Sequence, residues 1–172
     1  LIFNPEDGKI LGAQAVGPKG VDKRIDVLAT AIRGGMTVYD LEEFELCYAP
    51  PFGSAKDVIN QAGFVASNVC RGDQEICHAS EVPNCVDLGG LGVVHNKTEI
   101  GVLGTIEEAI NIPVNQLRDN LDRLPKDKTL VVFCAVGLRG YVAYRMLKNM
   151  GYKVRNLTGG YTTYQMMQRV GL

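Results

Sequence analysis

Cys134 stands at the end of an apolar run, Thr129-Leu130-Val131-Val132-Phe133, and precedes Ala135-Val136-Gly137-Leu138-Arg139-Gly140. The run is short and rich in β-branched residues, as a buried strand would be. Small residues then make a loop, and an amphipathic pattern opens a helix. A thiol placed there has a physical reason to be reactive. The nucleophile is the thiolate, so the pKa must come down from about 8.5 under local positive potential. The amides of residues 135–140, the helix N-terminus and the guanidinium of Arg139 would supply that potential. Gly137 lets the loop curl so that several N–H groups face one point, an anion nest. The same nest would hold the outer sulfur of a persulfide. The chemistry it favours is covalent sulfur transfer: Cys134 attacks a small-molecule sulfane donor, holds the sulfur and passes it to a thiol acceptor, while Arg139 orients an anionic donor.

Other chemistry-bearing residues give weaker patterns. Cys47, Cys70, Cys77 and Cys85 form no Cys-x-x-Cys pair, and five cysteines in all are an odd number. Neither a secreted disulfide framework nor a structural zinc site fits, and the natural location is reducing and cytoplasmic. The four read as apolar packing or unpaired thiols. His78 and His95 are isolated, no carboxylate pair has a hydrolytic spacing, and Tyr144, Tyr161 and Tyr164 read as core or surface aromatics. Gly90-Leu91-Gly92 is only a fragment of a nucleotide loop and lacks a βα setting.

These residues sit in a chain of 172 residues, 46% hydrophobic and 22% charged, which is enough to bury one core or two small ones. A formal net charge of −1 with mixed signs supplies no basic tract for nucleic acid or an anionic membrane. No apolar run is long enough to span a bilayer, and no signal-peptide pattern occurs. The chain opens inside an apparent strand without an initiator Met, as a piece of a longer protein would.

The elements fall into two patterns. Strands over 1–3 and 9–16 flank the turn Asn4-Pro5-Glu6-Asp7-Gly8. A helix over Val21–Arg33 follows, stopped by Gly34-Gly35, and then a short acidic helix over 37–44. Pro50 and Pro51 forbid helix, and Ser54-Ala55-Lys56-Asp57 reads as a capping box. It would open a helix burying Val58, Ile59, Ala62, Val65, Ala66 and Val69. Residues 69–83 read as a linker. Beyond it, Val86-Asp87-Leu88 and Gly92-Val93-Val94 read as strands, and so do 109–114, 129–134 and 153–157. Between and after them come helices: one with the face Leu117, Leu121 and Leu124, one burying Leu138, Val142, Ala143, Met146, Leu147 and Met150, and a last one over 161–170. Strands alternating with helices make a parallel α/β domain, in which ligands bind at the carboxyl ends of strands.

Two stretches also resemble known families. Gly8-Lys9-Ile10-Leu11-Gly12-Ala13-Gln14-Ala15-Val16-Gly17, Val21-Asp22-Lys23-Arg24-Ile25-Asp26 and Leu46-Cys47-Tyr48-Ala49-Pro50-Pro51-Phe52-Gly53-Ser54-Ala55-Lys56-Asp57 resemble the dimerisation domain of pyridine nucleotide-disulfide oxidoreductases. The nearest branch is that of the coenzyme A-disulfide reductases and NADH oxidases. Val58 departs from it, since that family usually places a proline there. Cys134 to Arg139, Leu157-Thr158-Gly159-Gly160-Tyr161 and Ala109-Ile110-Asn111-Ile112-Pro113-Val114 resemble the rhodanese family. Four residues separate Cys134 from Arg139, against five in related cysteine phosphatases, whose phosphate is bulkier than one sulfur atom.

The resemblance implies an α/β rhodanese-like domain over 84–172, a parallel sheet flanked by helices. A truncated α+β dimerisation domain over 1–68 would precede it. It further implies a homodimer through 1–68, with Tyr48 reaching toward the partner's substrate site. The parent would use FAD, NAD(P)H and coenzyme A, none bound by this fragment. Rhodaneses usually carry Asp-x-Arg at the end of an earlier strand. Here the counted positions are Val94-His95-Asn96, with Asp87-Leu88-Gly89 as the alternative, and neither has the arginine. The family's Gly-His-Ile-Pro-Gly-Ala is Gly104-Thr105-Ile106-Glu107-Glu108-Ala109. A sulfurtransferase, a phosphatase and a catalytically weak interaction module therefore stay open as readings.

Overall fold

The chain is described from a computed structural model, over residues 1–82, 91–95, 106–107 and 109–171, with backbone alone for 91–95. It divides into two units, Leu1–Asp73 and Gln74–Leu172. Cys85, Val86-Asp87-Leu88, Asn96, Gly104, Thr105 and Glu108 lie outside the described residues.

In the first unit the strands β1 (Ile2–Phe3) and β2 (Ile10–Gly12) pair antiparallel. Gly8, at φ 73°, makes the turn between them in a region other residues rarely adopt. The strand expected over 9–16 is shorter than its apolar run: its pairing with β1 ends at Gly12. Three helices follow, α1 (Val21–Arg33), α2 (Val38–Glu43) and α3 (Val58–Cys70). Ile10, Leu28, Ala31, Val38, Leu41, Ile59 and Ala66 form their common core.

Helix α3 starts three residues later than its expected cap. Asp57, not Ser54, is the N-cap; its side chain accepts from the Ile59 amide at 3.2 Å, and Asn60 returns a bond to the Asp57 amide at 3.0 Å. Asp57 also takes a bidentate ion pair from Arg24 of α1, at 2.9 and 2.7 Å. The buried face of α3 is Ile59, Asn60, Gly63, Ala66 and Ser67, while Val58 and Val65 are exposed. Close packing moved that face: a Cβ on Gly63 would stand 2.8 Å from the Glu42 amide nitrogen, so α2 lies on a bare stretch of α3. Asn60 is buried because it donates to the carbonyls of Leu41 and Phe44, at 3.0 and 2.9 Å.

The second unit is a five-stranded sheet, ordered β3-β7-β6-β4-β5 and parallel at each pairing. Its strands are β3 (Ile76–Cys77), β4 (Leu91–His95), β5 (Ile110–Asn111), β6 (Thr129–Phe133) and β7 (Val154–Leu157). The stretch 69–83, read as a linker, thus holds the end of α3 and an edge strand of this sheet. Strand β6 is buried on both faces, which is why it reads as an unbroken apolar run rather than an alternation. Leu130 and Val132 join Ala143, Tyr144 and Leu147 of α4 (Leu138–Asn149) in one core cluster. Val131 and Phe133 join Cys77 and Leu157 in a second, against which Tyr161, Tyr164 and Met167 of α5 (Gly160–Arg169) pack. The result is a parallel sheet with helices on both faces, the architecture that the strand–helix alternation predicts.

Two expectations about this unit need correction. The segment around Leu117, Leu121 and Leu124 forms 3-10 turns, Val114–Gln116 and Arg118–Arg123, with a non-helical Asn120 at φ −126°. The Asn120 side chain bonds the Gln116 carbonyl at 3.0 Å, competing with the backbone ladder there. Helix α4 buries Gly140, Ala143, Tyr144 and Leu147, and leaves Leu138, Val142 and Met150 exposed. No helix among the described residues is long and apolar enough to cross a membrane.

Candidate active site at Cys134

Strand β6 ends at Phe133, and Cys134 begins the turn into α4. Gly137 is the N-cap of that helix, at φ 115° and ψ −27°, with no side chain to bond the first helical amides. Those amides are open to another acceptor, and a helix N-terminus favours an anion. The acceptor is the Cys134 sulfur. The Gly137 N–H reaches Sγ at 3.1 Å, and the nearby amides of Val136, Arg139 and Gly140 also favour the thiolate. Burial pushes the thiol pKa up, and these four donors outweigh it, with Gly140 first and Gly137 second. The net direction is down from the ordinary value.

The other side of the loop is held as firmly. The Tyr161 amide donates to the Cys134 carbonyl at 2.8 Å, and the Thr162 amide to the Ala135 carbonyl at 3.0 Å. Helix α5 thus spends its first amides on the loop's carbonyls, and the loop's own N–H groups are left to face the sulfur. Gly160 makes that approach possible: it sits at φ 62°, and a Cβ there would meet the Cys134 oxygen at 2.4 Å. Below the loop, Asn156 of β7 is buried beside Gly137 and Gly140.

Among the expected cradle residues, Gly137 donates to the sulfur, and the amides of Val136 and Gly140 help hold the thiol pKa down. Ala135 is bound through its carbonyl, and Leu138 presents an exposed side chain. Arg139 contributes through its backbone N–H, and its side chain is half-buried. The guanidinium forms no ion pair with a described carboxylate. Strand β4 pairs His95 with Phe133, so the Val94-His95 positions counted for Asp-x-Arg lie at the strand end beside Cys134.

Elsewhere, Tyr48 is exposed in the first unit. His78 is exposed, and its amide donates to Glu81. Cys47 is exposed, Cys70 half-buried and Cys77 buried. Tyr144 is fully buried, and Tyr161 stacks between Phe133 and Tyr164, with ring centroids 6.2 and 6.0 Å away. Among the described residues no group of His, Cys, Asp and Glu is placed to hold a metal. Sequence reasoning missed Asn156 and the clamp at Gly160. The signals available were a polar residue inside an apolar strand and the Gly159-Gly160 pair.

Comparison with known proteins agrees with this geometry. A family profile described as "Rhodanese-like domain" matches residues 94–167. Another, "Pyridine nucleotide-disulphide oxidoreductase, dimerisation domain", matches residues 1–58. The crystal structure of reduced Bacillus anthracis CoADR-RHD superimposes with a TM-score of 0.91 at 46% identity, over 98% of this chain and 30% of that one. The structure of a NAD-dependent persulfide reductase from A. fulgidus gives 0.75 and 38%, over 86% of this chain and 26% of that one. Coenzyme A disulfide reductase of Staphylococcus aureus (strain bovine RF122 / ET3-1) is 50% identical over 66 residues, which are 38% of this chain and 15% of the relative. The chain spans less than a third of each of these relatives. It joins a segment matching part of a pyridine nucleotide-disulfide oxidoreductase dimerisation domain to a rhodanese-like domain, and in this it resembles the coenzyme A disulfide reductases and CoADR-RHD.

Proposed function

We propose that Cys134 carries sulfur as a persulfide, making this chain the sulfur-transfer module of a coenzyme A-disulfide or persulfide reductase. The observation that carries the reading is the Gly137 N–H on Cys134 Sγ at 3.1 Å, in the turn at the N-terminus of α4. In the first step the Cys134 thiolate attacks the outer sulfur of a donor R–S–SH. The Sγ–S bond forms as the donor S–S bond breaks, and R–S⁻ leaves with the bonding pair. The enzyme then holds Cys134–S–SH, whose outer sulfur ionises readily and is stabilised by N–H groups directed into the loop. A thiol acceptor R′–S⁻ attacks that outer sulfur, takes it as R′–S–SH, and returns the Cys134 thiolate. No net oxidant or reductant is needed. Arg139, in the first turn of α4, orients an anionic donor.

The full-length relatives supply the rest of the proposal. FAD and NAD(P)H would be held by sequence outside this span, coenzyme A would be the thiol carried to and from Cys134, and residues 1–68 would pair subunits of a cytoplasmic homodimer. Tyr48 is exposed, as a residue reaching toward a partner's substrate site must be. The test is transfer itself. The chain is mixed with glutathione persulfide and coenzyme A, and coenzyme A persulfide is followed by mass spectrometry. Cys134→Ala abolishes product formation above the uncatalysed exchange. A variant that still transfers sulfur at the parental rate overturns the assignment.

A further inference from the structure

We propose that Asn156 is the positioning residue of the sulfur cradle: one buried carboxamide spans Gly137 and Gly140 and keeps both amides turned toward Cys134 Sγ. The proposal rests on the reading of Cys134 as a sulfur-carrying thiolate.

Asn156 lies in β7, paired with Val132 of β6, two residues before the catalytic cysteine. Its position in the sheet is fixed by its own amide, which donates to the Glu75 carbonyl at 2.8 Å. The residue is 3% exposed, in a strand whose other inward positions are Val154 and Leu157. Nδ2 donates to the Gly137 carbonyl at 3.5 Å. Oδ1 lies against Gly140, where a Cβ would stand 2.4 Å from it. The two residues touched by this one side chain are those whose amides do most for the Cys134 thiolate.

A role in stability alone does not account for the residue. Oδ1 is buried and accepts no hydrogen bond from any described residue. A buried acceptor without a donor costs stability that an apolar side chain of the same shape would not. Leucine has the same branching and the same number of side-chain heavy atoms. A carboxamide is kept where packing favours a hydrocarbon, and what it touches is the cradle. Gly140 is matched to it: a side chain there would displace Oδ1 and press on Phe133, whose Cα is 3.2 Å from the Cβ position. Asn156 therefore acts as a strut. It anchors the Gly137 peptide from below by its carbonyl, and it blocks inward collapse of the α4 first turn at Gly140.

The experiment compares the parent chain with Asn156→Leu and Asn156→Ala. Alkylation of Cys134 by iodoacetamide is followed against pH by mass spectrometry of the Cys134 peptide, and thermal midpoints are recorded alongside. The expected result for Asn156→Leu is an alkylation profile displaced upward by about one pH unit, so that the rate on its acidic limb falls about tenfold. The thermal midpoint should be unchanged or higher. Asn156→Ala shows the same displacement with a lower midpoint, and it decides the matter if the leucine is too large to fold. A variant profile that overlays the parent's, whatever happens to the midpoint, overturns the proposal. Sulfur loading of the parent is measured separately. If parent Cys134 alkylates in acid but never gains sulfur, the transfer reading fails and the strut stands. If it loads sulfur and the Asn156 profiles overlay, the strut fails and the transfer reading stands.

Discussion

The proposed chemistry turns on one sulfur atom, where backbone donors compete with desolvation. Burial pushes the Cys134 thiol pKa up, and the loop amides bring it below its ordinary value. Asp57 is a second residue where the same competition is won by partners. Burial pushes its carboxyl up, and the Arg24 guanidinium, the Ile59 amide and the charges of Arg24 and Lys23 pull it further down, below the ordinary carboxylate range. A carboxyl with a depressed folded-state pKa adds stability that is fully present above its unfolded pKa of about 3.9 and fades as pH falls through the lower folded value. Asp57→Asn should remove that dependence. It should also lower the stability of the first unit at neutral pH by about 1–3 kcal/mol, because Arg24 loses a charged, bidentate partner. Denaturant titrations at neutral and acid pH would check both.

Among the elements, β6, α4 and α5 act as one device. The strand delivers the cysteine, α4 supplies amides to its sulfur, and α5 supplies amides to its carbonyl. Gly160→Ala should separate these functions. Its Cβ would meet the carbonyl oxygens of Cys134 and Ala135 at 2.4 and 2.8 Å, and its φ of 62° is strained for any side chain. The expected loss is about 1–3 kcal/mol of stability from the backbone conformation alone. Slower alkylation of Cys134 should accompany it, as the loop turns away from α5. An unchanged denaturation midpoint would show that α5 does not clamp the loop.

The strand and the cysteine at its end were legible in the sequence, because a doubly buried parallel strand is a local signal. The clamp was not, because it joins residues 27 positions apart through backbone groups that every residue carries. The buried faces of α3 and α4 were misread for a related reason. Hydrophobic spacing placed Val58, Leu138 and Val142 inside, whereas close backbone approach selected Gly63 and Gly140 instead. Small and polar residues carry these contacts, and a pattern of apolar residues passes over them. The 3-10 turns after Pro113 were hidden likewise by leucines at helical spacing, since Asn120 breaks the ladder with its own side chain.

The molecule as a whole keeps structure and chemistry in separate units. The core of Leu1–Asp73 contains only its own residues, and both clusters around the parallel sheet belong to Gln74–Leu172. A defect such as Asp57→Asn should therefore leave sulfur chemistry at Cys134 unchanged while weakening the first unit. That division fits a chain whose first unit belongs to a dimerisation domain and whose second is a rhodanese-like fold. The central claim is that Cys134 holds transferable sulfur, and intact-protein mass spectrometry after incubation with glutathione persulfide or thiosulfate tests it most directly. The account predicts a gain of one sulfur atom, located on Cys134, lost on adding a thiol and absent from Cys134→Ala. Protein that gains no sulfur under conditions that load a known sulfurtransferase would contradict it.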